Sequence, residues 1–172
     1  KSPNTDLPSN ETEVTDDELA VLHLALIPGI GPRMQQVLIE TLGSADAVLQ
    51  AAPSKLRQVP GIGPQLLRDI EKGRREIDPR QQWDFCIRNR VEILHNESES
   101  YPRNLKEIFD PPGVLFVRGK LKSQDDLAIA IVGTRHATNY GLAQARQLAA
   151  GLARTGVTIV SGLARGIDAA AH

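Results

Sequence analysis

The sequence predicts an α/β protein in which a small all-α region of paired helical hairpins precedes part of a parallel β-sheet. Two observations support this fold class. A pattern of a helix, a tight turn and a second helix occurs twice with an offset of 32 residues. Its two copies are "IPGIGPRMQQVLIETLG" at 27–43 and "VPGIGPQLLRDIEKG" at 59–73. After about residue 90, apolar runs of strand length alternate with a helical pattern, which is typical of βαβ units.

Length and composition narrow the class of protein. The chain has 172 residues, 41% of them hydrophobic, and a formal net charge of −1, so an anion site requires local clustering of charge. The single cysteine, Cys86, excludes a disulfide framework and fits a reducing compartment. We find no signal-peptide pattern and no apolar run near the ~18 residues of a membrane span, so we expect no membrane partner. Because the chain starts at Lys1 and stops at His172 where a helix begins, we interpret it as a fragment of a longer protein.

The first half contains local signals for helix ends. Residues 1–14 are polar with two prolines, which predicts a disordered tail. Residues 15–80 form the predicted helical domain. Thr15 and Glu18 have capping-box spacing, Ser44 and Asp78 suit helix starts, Pro32 and Pro64 suit first turns, and helix ends are predicted at Gly43, Gly73 and Asn89.

The second half, residues 81–172, is the predicted N-terminal part of a parallel-sheet domain. We expect strands at 91–95 and 114–118, with a short helix between them. The continuous apolar run 127–132 is typical of a buried parallel strand. A helix at about 140–155, started by Thr138 or Asn139, and a strand at 157–160 complete a βαβ unit.

Two loops follow the strands of that unit, and both carry glycine, hydroxyl and arginine. Ligands of open parallel sheets lie beyond the carboxyl ends of the strands, and consecutive strands usually lie close together. Free backbone N–H groups, the positive end of the helix and the planar guanidinium group all favour phosphate. The alternative is that these are turn glycines and surface arginines. The predicted phosphate-binding residues are Gly133, Thr134, Arg135, Ser161, Gly162, Arg165 and Gly166.

Asp168 and His172 are four residues apart on a predicted helix, a spacing that is compatible with acid–base or metal chemistry. We expect instead that Asp168 stabilises the start of the helix and that His172 packs against the sheet. Because the four histidines do not cluster with the cysteine, we predict no metal site and no cofactor.

The "PGIGP" turns of the repeats are typical of helix-hairpin-helix units, which contact DNA phosphates through backbone N–H groups. Such contacts are independent of base sequence. The alternative is a helical scaffold whose glycines allow close packing, or a module that recruits a protein partner. The possible secondary DNA contacts are Gly29, Gly31, Gly61 and Gly63, with positive charge nearby at Arg33, Lys55, Arg57, Arg68, Lys72, Arg74 and Arg75.

Residues 15–172 resemble the DNA-processing protein A family, also called DprA or Smf. The segments "IVGTRHATNYG" and "VTIVSGLARGIDAAAH" carry the resemblance, and "YPRNL" with "PPGVLFVRG" is similar to the entry into the family's extended Rossmann-like domain. The hairpins resemble its SAM-like helical domain. The family's Gly-Ser/Thr-Arg motif, which is linked to DNA phosphate binding, falls on 133–135, and its Ser-Gly-x-Ala-x-Gly-Ile-Asp motif falls on 161–168.

The resemblance implies a cytoplasmic, non-enzymatic bacterial protein of natural transformation. Family members bind and protect single-stranded DNA, load the RecA recombinase on it, and usually form homodimers through the Rossmann-like domain. They also use a lysine and other residues from a second half of that domain, which this sequence lacks. The alternative is a nucleoside monophosphate hydrolase, which needs an acid or base such as a glutamate. We find no glutamate near either loop.

Overall fold

The computed structural model of the chain describes residues 14–172, so the predicted tail lies almost wholly outside the described residues. The chain divides into two compact units. The first comprises the chain up to Tyr101 with Ile108–Arg118, and the second comprises Pro102–Glu107 with Gly119–His172. The domain bounds drawn from the sequence, at 15, 80 and 81, remain predictions. Among residues 14–172, no helix is both long enough and apolar enough to cross a membrane.

The first unit is mainly helical and follows the predicted hairpin pattern. The capping box of the first helix is present: Glu18 N donates to Thr15 Oγ1 at 3.2 Å, and Thr15 N donates to Glu18 Oε2 at 2.9 Å. The first and second repeats each end in a helix that begins at its predicted proline. The helices are α1 (Asp16–Leu26), α2 (Pro32–Leu42), α3 (Ala45–Gln50), α4 (Pro53–Leu56), α5 (Pro64–Glu76) and α6 (Pro79–Arg88).

The core of this unit is aliphatic, in line with an aromatic content of only 3% in the sequence. Its fully buried side chains come from α1, from both repeats and from the helices between them, and they include Leu24, Leu38, Val48, Leu56 and Ile70. Burial of each such side chain stabilises the fold by roughly 1.5–3 kcal/mol before chain entropy is counted.

One predicted helix end in this unit is wrong. Gly43 does end α2, with φ of +100°, but Gly73 is buried inside α5. A Cβ atom at Gly73 would lie 2.6 Å from Cγ1 of Ile27, so the glycine allows the end of α1 to approach α5. The residue serves close helix packing rather than termination.

Two short strands complete the first unit. β1 (Glu92–His95) and β2 (Val114–Val117) pair antiparallel, with Glu92 opposite Val117 and His95 opposite Val114. The strands lie at the expected places in the sequence, but their pairing is antiparallel. They form a sheet separate from the two parallel strands further along the chain.

The second unit contains the predicted βαβ arrangement. Strands β3 (Ala128–Ala130) and β4 (Thr158–Val160) pair in parallel, and helix α8 (Asn139–Arg154) lies between them in the sequence. Thr138 caps α8, because Gly141 N donates to its Oγ1 at 3.1 Å. Other elements are α7 (Arg103–Lys106), a 3₁₀ turn (Ser123–Asp126), α8 (Asn139–Arg154) and α9 (Ile167–Ala171).

The expected burial of strand 127–132 is wrong for the described chain. All three residues of β3 are exposed, and so are the flanking Leu127 and Val132, at 64% and 69%. Val160 on the paired strand is also exposed. A continuous apolar strand is buried only where both faces of its sheet are covered. Here the sheet has two strands, and α8 packs against β4.

Candidate anion-binding site

The two glycine-rich loops lie against each other at the carboxyl ends of β3 and β4. Ile131 N donates to Val160 O at 2.9 Å, which extends the parallel pairing, and the chain then leaves the sheet at residues 132–135. Ile167 N, just after the second loop, donates to Thr134 O at 3.2 Å. The loops therefore converge, as the topology of a βαβ unit leads one to expect.

Gly166 allows the closest approach of the loops. Its φ is +91° and its ψ is −130°, a backbone conformation that essentially only glycine adopts. A Cβ atom there would lie 2.2 Å from Thr134 O and 2.9 Å from Arg135 Cα. Any other residue would have to separate the two loops.

Asp168 connects the two loops through its carboxylate group. Its side chain is only 6% exposed, Oδ1 accepts from Gly133 N at 3.0 Å, and Oδ2 accepts from Gly162 N at 3.1 Å. The expected role at the start of the helix is therefore incomplete, since the carboxylate bridges two strand ends. The amides of Gly133 and Gly162, which the sequence suggested as free donors, already have an acceptor.

The two hydroxyl groups also take part in local hydrogen bonds. Ser161 Oγ donates to Asp168 O at 3.2 Å and accepts from Leu163 N at 3.3 Å. Thr134 Oγ1 accepts from His136 N at 3.2 Å. Ser161 thus shapes its own loop, which differs from the predicted contact with a ligand.

The two arginines are the charged groups of the loops, and both remain available. Arg135 and Arg165 are exposed, and neither forms an ion pair with any residue in the range 14–172. The first turn of α8 adds an exposed aromatic ring at Tyr140, which is 75% exposed. The predicted packing of His172 against the sheet is wrong, because that side chain is exposed.

The hairpin repeats have matching turns. Ile30 N donates to Ile27 O at 3.1 Å in the first repeat, and Ile62 N donates to Val59 O at 3.2 Å in the second. Gly29 has φ of +85°, and its counterpart in the second repeat has φ of +88°. The two turns of the 32-residue repeat therefore share the same backbone hydrogen bond and the same left-handed glycine.

The glycines of these turns fall into two pairs with different surroundings. A Cβ at Gly29 would lie 3.1 Å from Leu66 Cδ1, and a Cβ at Gly61 would lie 2.8 Å from Met34 Cε. Positions 34 and 66 are themselves equivalent in the repeat, so each turn packs on the other repeat's helix. In contrast, Gly31 and Gly63 begin α2 and α5, and a Cβ at either would meet nothing within 4 Å.

Two of the basic residues near the hairpins are engaged within the first unit. The Arg74 guanidinium donates to Ala51 O at 2.8 Å and to Val48 O, so it caps the end of α3, and burial lowers its pKa. The Arg33 guanidinium lies 5.5 Å from the centre of the Phe109 ring. Arg74 is therefore a structural residue rather than a contact for an anion.

Among residues 14–172, no three His, Cys, Asp or Glu side chains form a group that could hold a metal ion. The functional contact that sequence reasoning missed is the carboxylate bridge of Asp168. Its signals in the sequence were an acidic residue two positions after the glycine that ends the second loop and the place of that residue in the family's Ser-Gly-x-Ala-x-Gly-Ile-Asp motif.

Paired helical hairpins followed by a parallel βαβ unit define a class of protein that joins a helix-hairpin-helix domain to a Rossmann-like sheet. Known sequence families match both parts. The family described as SAM-like helix-hairpin-helix tandem matches residues 21–75, and the family described as DNA recombination-mediator protein A matches residues 92–172. The chain belongs to the DNA-processing protein A (DprA/Smf) family.

Individual proteins agree with this assignment. Protein Smf of Synechocystis is 35% identical over 150 residues, which covers 85% of this chain and 38% of the relative. DNA processing protein DprA of Bacillus subtilis is 46% identical over 83 residues, 48% of this chain and 28% of the relative. The chain thus spans well under half the length of these relatives.

A solved structure supports the fold. The X-ray structure of DNA processing protein A from Streptococcus pneumoniae superposes with a TM-score of 0.61. The match covers 92% of this chain and 53% of that chain at 23% sequence identity. At this identity the likeness concerns the fold alone.

Proposed function

We propose that this protein takes part in DNA processing by binding single-stranded DNA without sequence preference, through its phosphates, at the loops 133–135 and 161–166. The observation that carries the proposal is the convergence of these loops at one sheet edge with Arg135 and Arg165 exposed. Membership of a family described as DNA recombination mediators supports a DNA ligand. Phosphate contacts position a strand but carry no sequence information.

The proposed contacts have definite energetic properties. A hydrogen bond to a charged group contributes about 1.5–3 kcal/mol, so each arginine–phosphate contact is worth roughly ten- to a hundredfold in affinity. Both arginines are exposed, and salt therefore weakens the contacts. Tyr140 offers a ring on which one base can stack, for about 1–3 kcal/mol more.

Fluorescence anisotropy of a labelled oligothymidylate, measured over a range of salt concentrations, tests the site. Arg135→Ala is expected to lower the affinity about tenfold or more, and to reduce the steepness of the salt dependence. Arg135→Lys is expected to restore only part of the affinity, because lysine lacks the planar fork. Oligonucleotide binding by Arg135→Ala that equals the parent at matched salt would place the site elsewhere.

Arg154→Ala is the matched control for that experiment. Arg154 is exposed at the last residue of α8, whereas the loops adjoin the first turn of this 16-residue helix. A helix of that length spans about 24 Å, so the control removes the same charge far from the proposed site. It is expected to change affinity less than twofold.

The hairpins provide a proposed secondary contact at Gly31 and Gly63. Both have ordinary φ values, −81° and −87°, and open space for a side chain. Gly31→Ala with Gly63→Ala would block close approach of a phosphate without disturbing the core. If the hairpins contact DNA, this double variant binds more weakly than the parent, although each substitution lowers stability by no more than about 1 kcal/mol, since alanine is a poorer N-cap than glycine.

The proposal extends to the full-length protein through the family resemblance. There we propose a cytoplasmic homodimer that protects single-stranded DNA and loads RecA during natural transformation. RecA ATPase activity on DNA coated with single-strand binding protein measures the loading step. If full-length protein leaves that rate unchanged at saturation, the loading part of the proposal is wrong, while DNA binding stands as a separate measurement.

The proposed role is not enzymatic. The alternative, hydrolysis of nucleoside monophosphates, requires an acid or base at the crevice. The described residues of the two loops and α9 contain one carboxylate side chain, that of Asp168. It is buried and accepts two amide hydrogen bonds. Incubation with nucleoside monophosphates tests the alternative, because release of free base at a sustained rate would favour the enzyme.

A further inference from the structure

The amides of Gly133 and Gly162 point at one carboxylate rather than at solvent. They donate to the two different oxygens of Asp168, at 3.0 Å and 3.1 Å. Two backbone N–H groups directed at a common point form the usual cradle for an oxyanion. Here the two carboxylate oxygens of Asp168 already serve as the acceptors for this pair of amides.

The carboxylate is held firmly in this position. Asp168 is only 6% exposed, and its backbone O accepts from Ser161 Oγ at 3.2 Å. Helix α9 starts one residue earlier, with Ala170 N donating to Gly166 O at 3.1 Å. A ligand that displaced the side chain would leave a buried charge without its two donors, which is costly.

We propose that Asp168 is a positioning residue that fills the amide cradle between the two loops and so confines a bound phosphate to the arginines at the rim. The ligand part of this inference rests on the proposed function. The negative charge of Asp168 also opposes a second charge nearby, so the rim suits the single charge of an internal phosphodiester better than the double charge of a terminal phosphate. The site therefore selects the interior of a strand over a mononucleotide.

Asp168→Asn tests the proposal, because this variant is expected to bind phosphate at the cradle where the parent does not. The amide keeps the size of the side chain, but it removes the negative charge and replaces one acceptor by an N–H₂ donor. One glycine amide then lacks an acceptor, and the neutral side chain is held less firmly, so a phosphate can displace it from the cradle without stranding a buried charge. Because damage to the fold does not create an anion site, the gain separates positioning from a merely structural role.

The measurement is the ¹⁵N–¹H spectrum of the whole chain during titration with inorganic phosphate at constant ionic strength. In the parent, the Gly133 and Gly162 amide resonances are expected to stay in place. In Asp168→Asn, both are expected to move in a saturable way. Asp126→Asn is the matched control, since it removes an exposed carboxylate from the same unit, and it is expected to behave as the parent.

Two outcomes would overturn the proposal: movement of the glycine amides in the parent, or a folded Asp168→Asn protein in which they remain still. If Asp168→Asn does not fold, the phosphate titration of the parent alone tests the proposal, and movement of the glycine amide resonances there would overturn it. A second titration of the parent, with oligothymidylate, is expected to shift the side-chain Nε–H resonances of Arg135 and Arg165 and to leave the glycines unmoved. Absence of every shift there contradicts the proposed function, whereas the phosphate titration still decides the role of Asp168.

Discussion

Replacement of Gly166 by alanine tests whether the close contact of the two loops is required for the candidate site. The added Cβ would lie 2.2 Å from Thr134 O. Ordinary carbon–oxygen contacts are about 3.3 Å or longer, so the loops must separate by roughly 1 Å. Neither atom is at the end of a flexible side chain, and the backbone itself must move.

The expected cost follows from two terms. Alanine at φ of +91° and ψ of −130° is strained by about 1–3 kcal/mol. Separation also breaks the hydrogen bond from Ile167 N to Thr134 O, which contributes about 1 kcal/mol. Gly166→Ala should therefore destabilise the second unit by about 2–4 kcal/mol, and it should weaken oligonucleotide binding because Arg135 moves with Thr134.

Amide hydrogen exchange in α8 measures this cost locally, at the buried Ala145 and Ala149. Gly151→Ala is the control, since a Cβ there meets nothing within 4 Å, and alanine is favoured in a helix by up to about 1 kcal/mol. It should preserve or increase protection. If Gly166→Ala left the exchange free energies within about 0.5 kcal/mol of the parent, the inferred steric lock between the loops would be wrong.

Three further predictions concern the first unit, and urea unfolding followed by the fluorescence of the single tryptophan measures each. Arg74→Met removes the donors to two carbonyl groups and should cost about 1–3 kcal/mol, whereas Arg75→Met, at an exposed neighbour, should cost little. Gly73→Ala should destabilise by up to about 2 kcal/mol, because overpacking against Ile27 exceeds the gain in helix propensity. Burial lowers the pKa of the His95 imidazole. As pH falls below about 6.5, the imidazole therefore takes up a proton in the unfolded chain before it does so in the folded one, and the free energy of unfolding should decrease. His95→Leu should reduce this dependence of the free energy of unfolding on pH.

The parts of the fold that the sequence predicted well depend on contacts between near neighbours. Thr15 and Glu18 cap each other across three residues, and Ser44 and Thr138 each accept from an amide three residues on. Residue type and spacing are enough to reveal such contacts, because the geometry of a helix start is always the same. The parallel pairing of β3 with β4 was also predictable, since a helix joins them.

The errors arose where distant residues decide the outcome. Gly73 resembles a helix end locally, but its contact is with Ile27, 46 positions earlier. The exposure of β3 depends on which elements cover the sheet, and a run of apolar residues cannot show this. Asp168 reaches Gly133 across 35 positions, so its role was invisible to an argument from helix spacing.

The repeated glycines show that residues in the same sequence motif can have different structural roles. All four lie in identical "PGIGP" turns, and both close packing and phosphate approach explain a glycine there. The contacts of Gly29 with Leu66 and of Gly61 with Met34 account for the first glycine of each turn by packing alone. The second glycine of each turn has no such neighbour. It is the N-cap of its helix, where glycine is preferred over alanine, and the open space beside it leaves room for something that approaches the hairpin from outside.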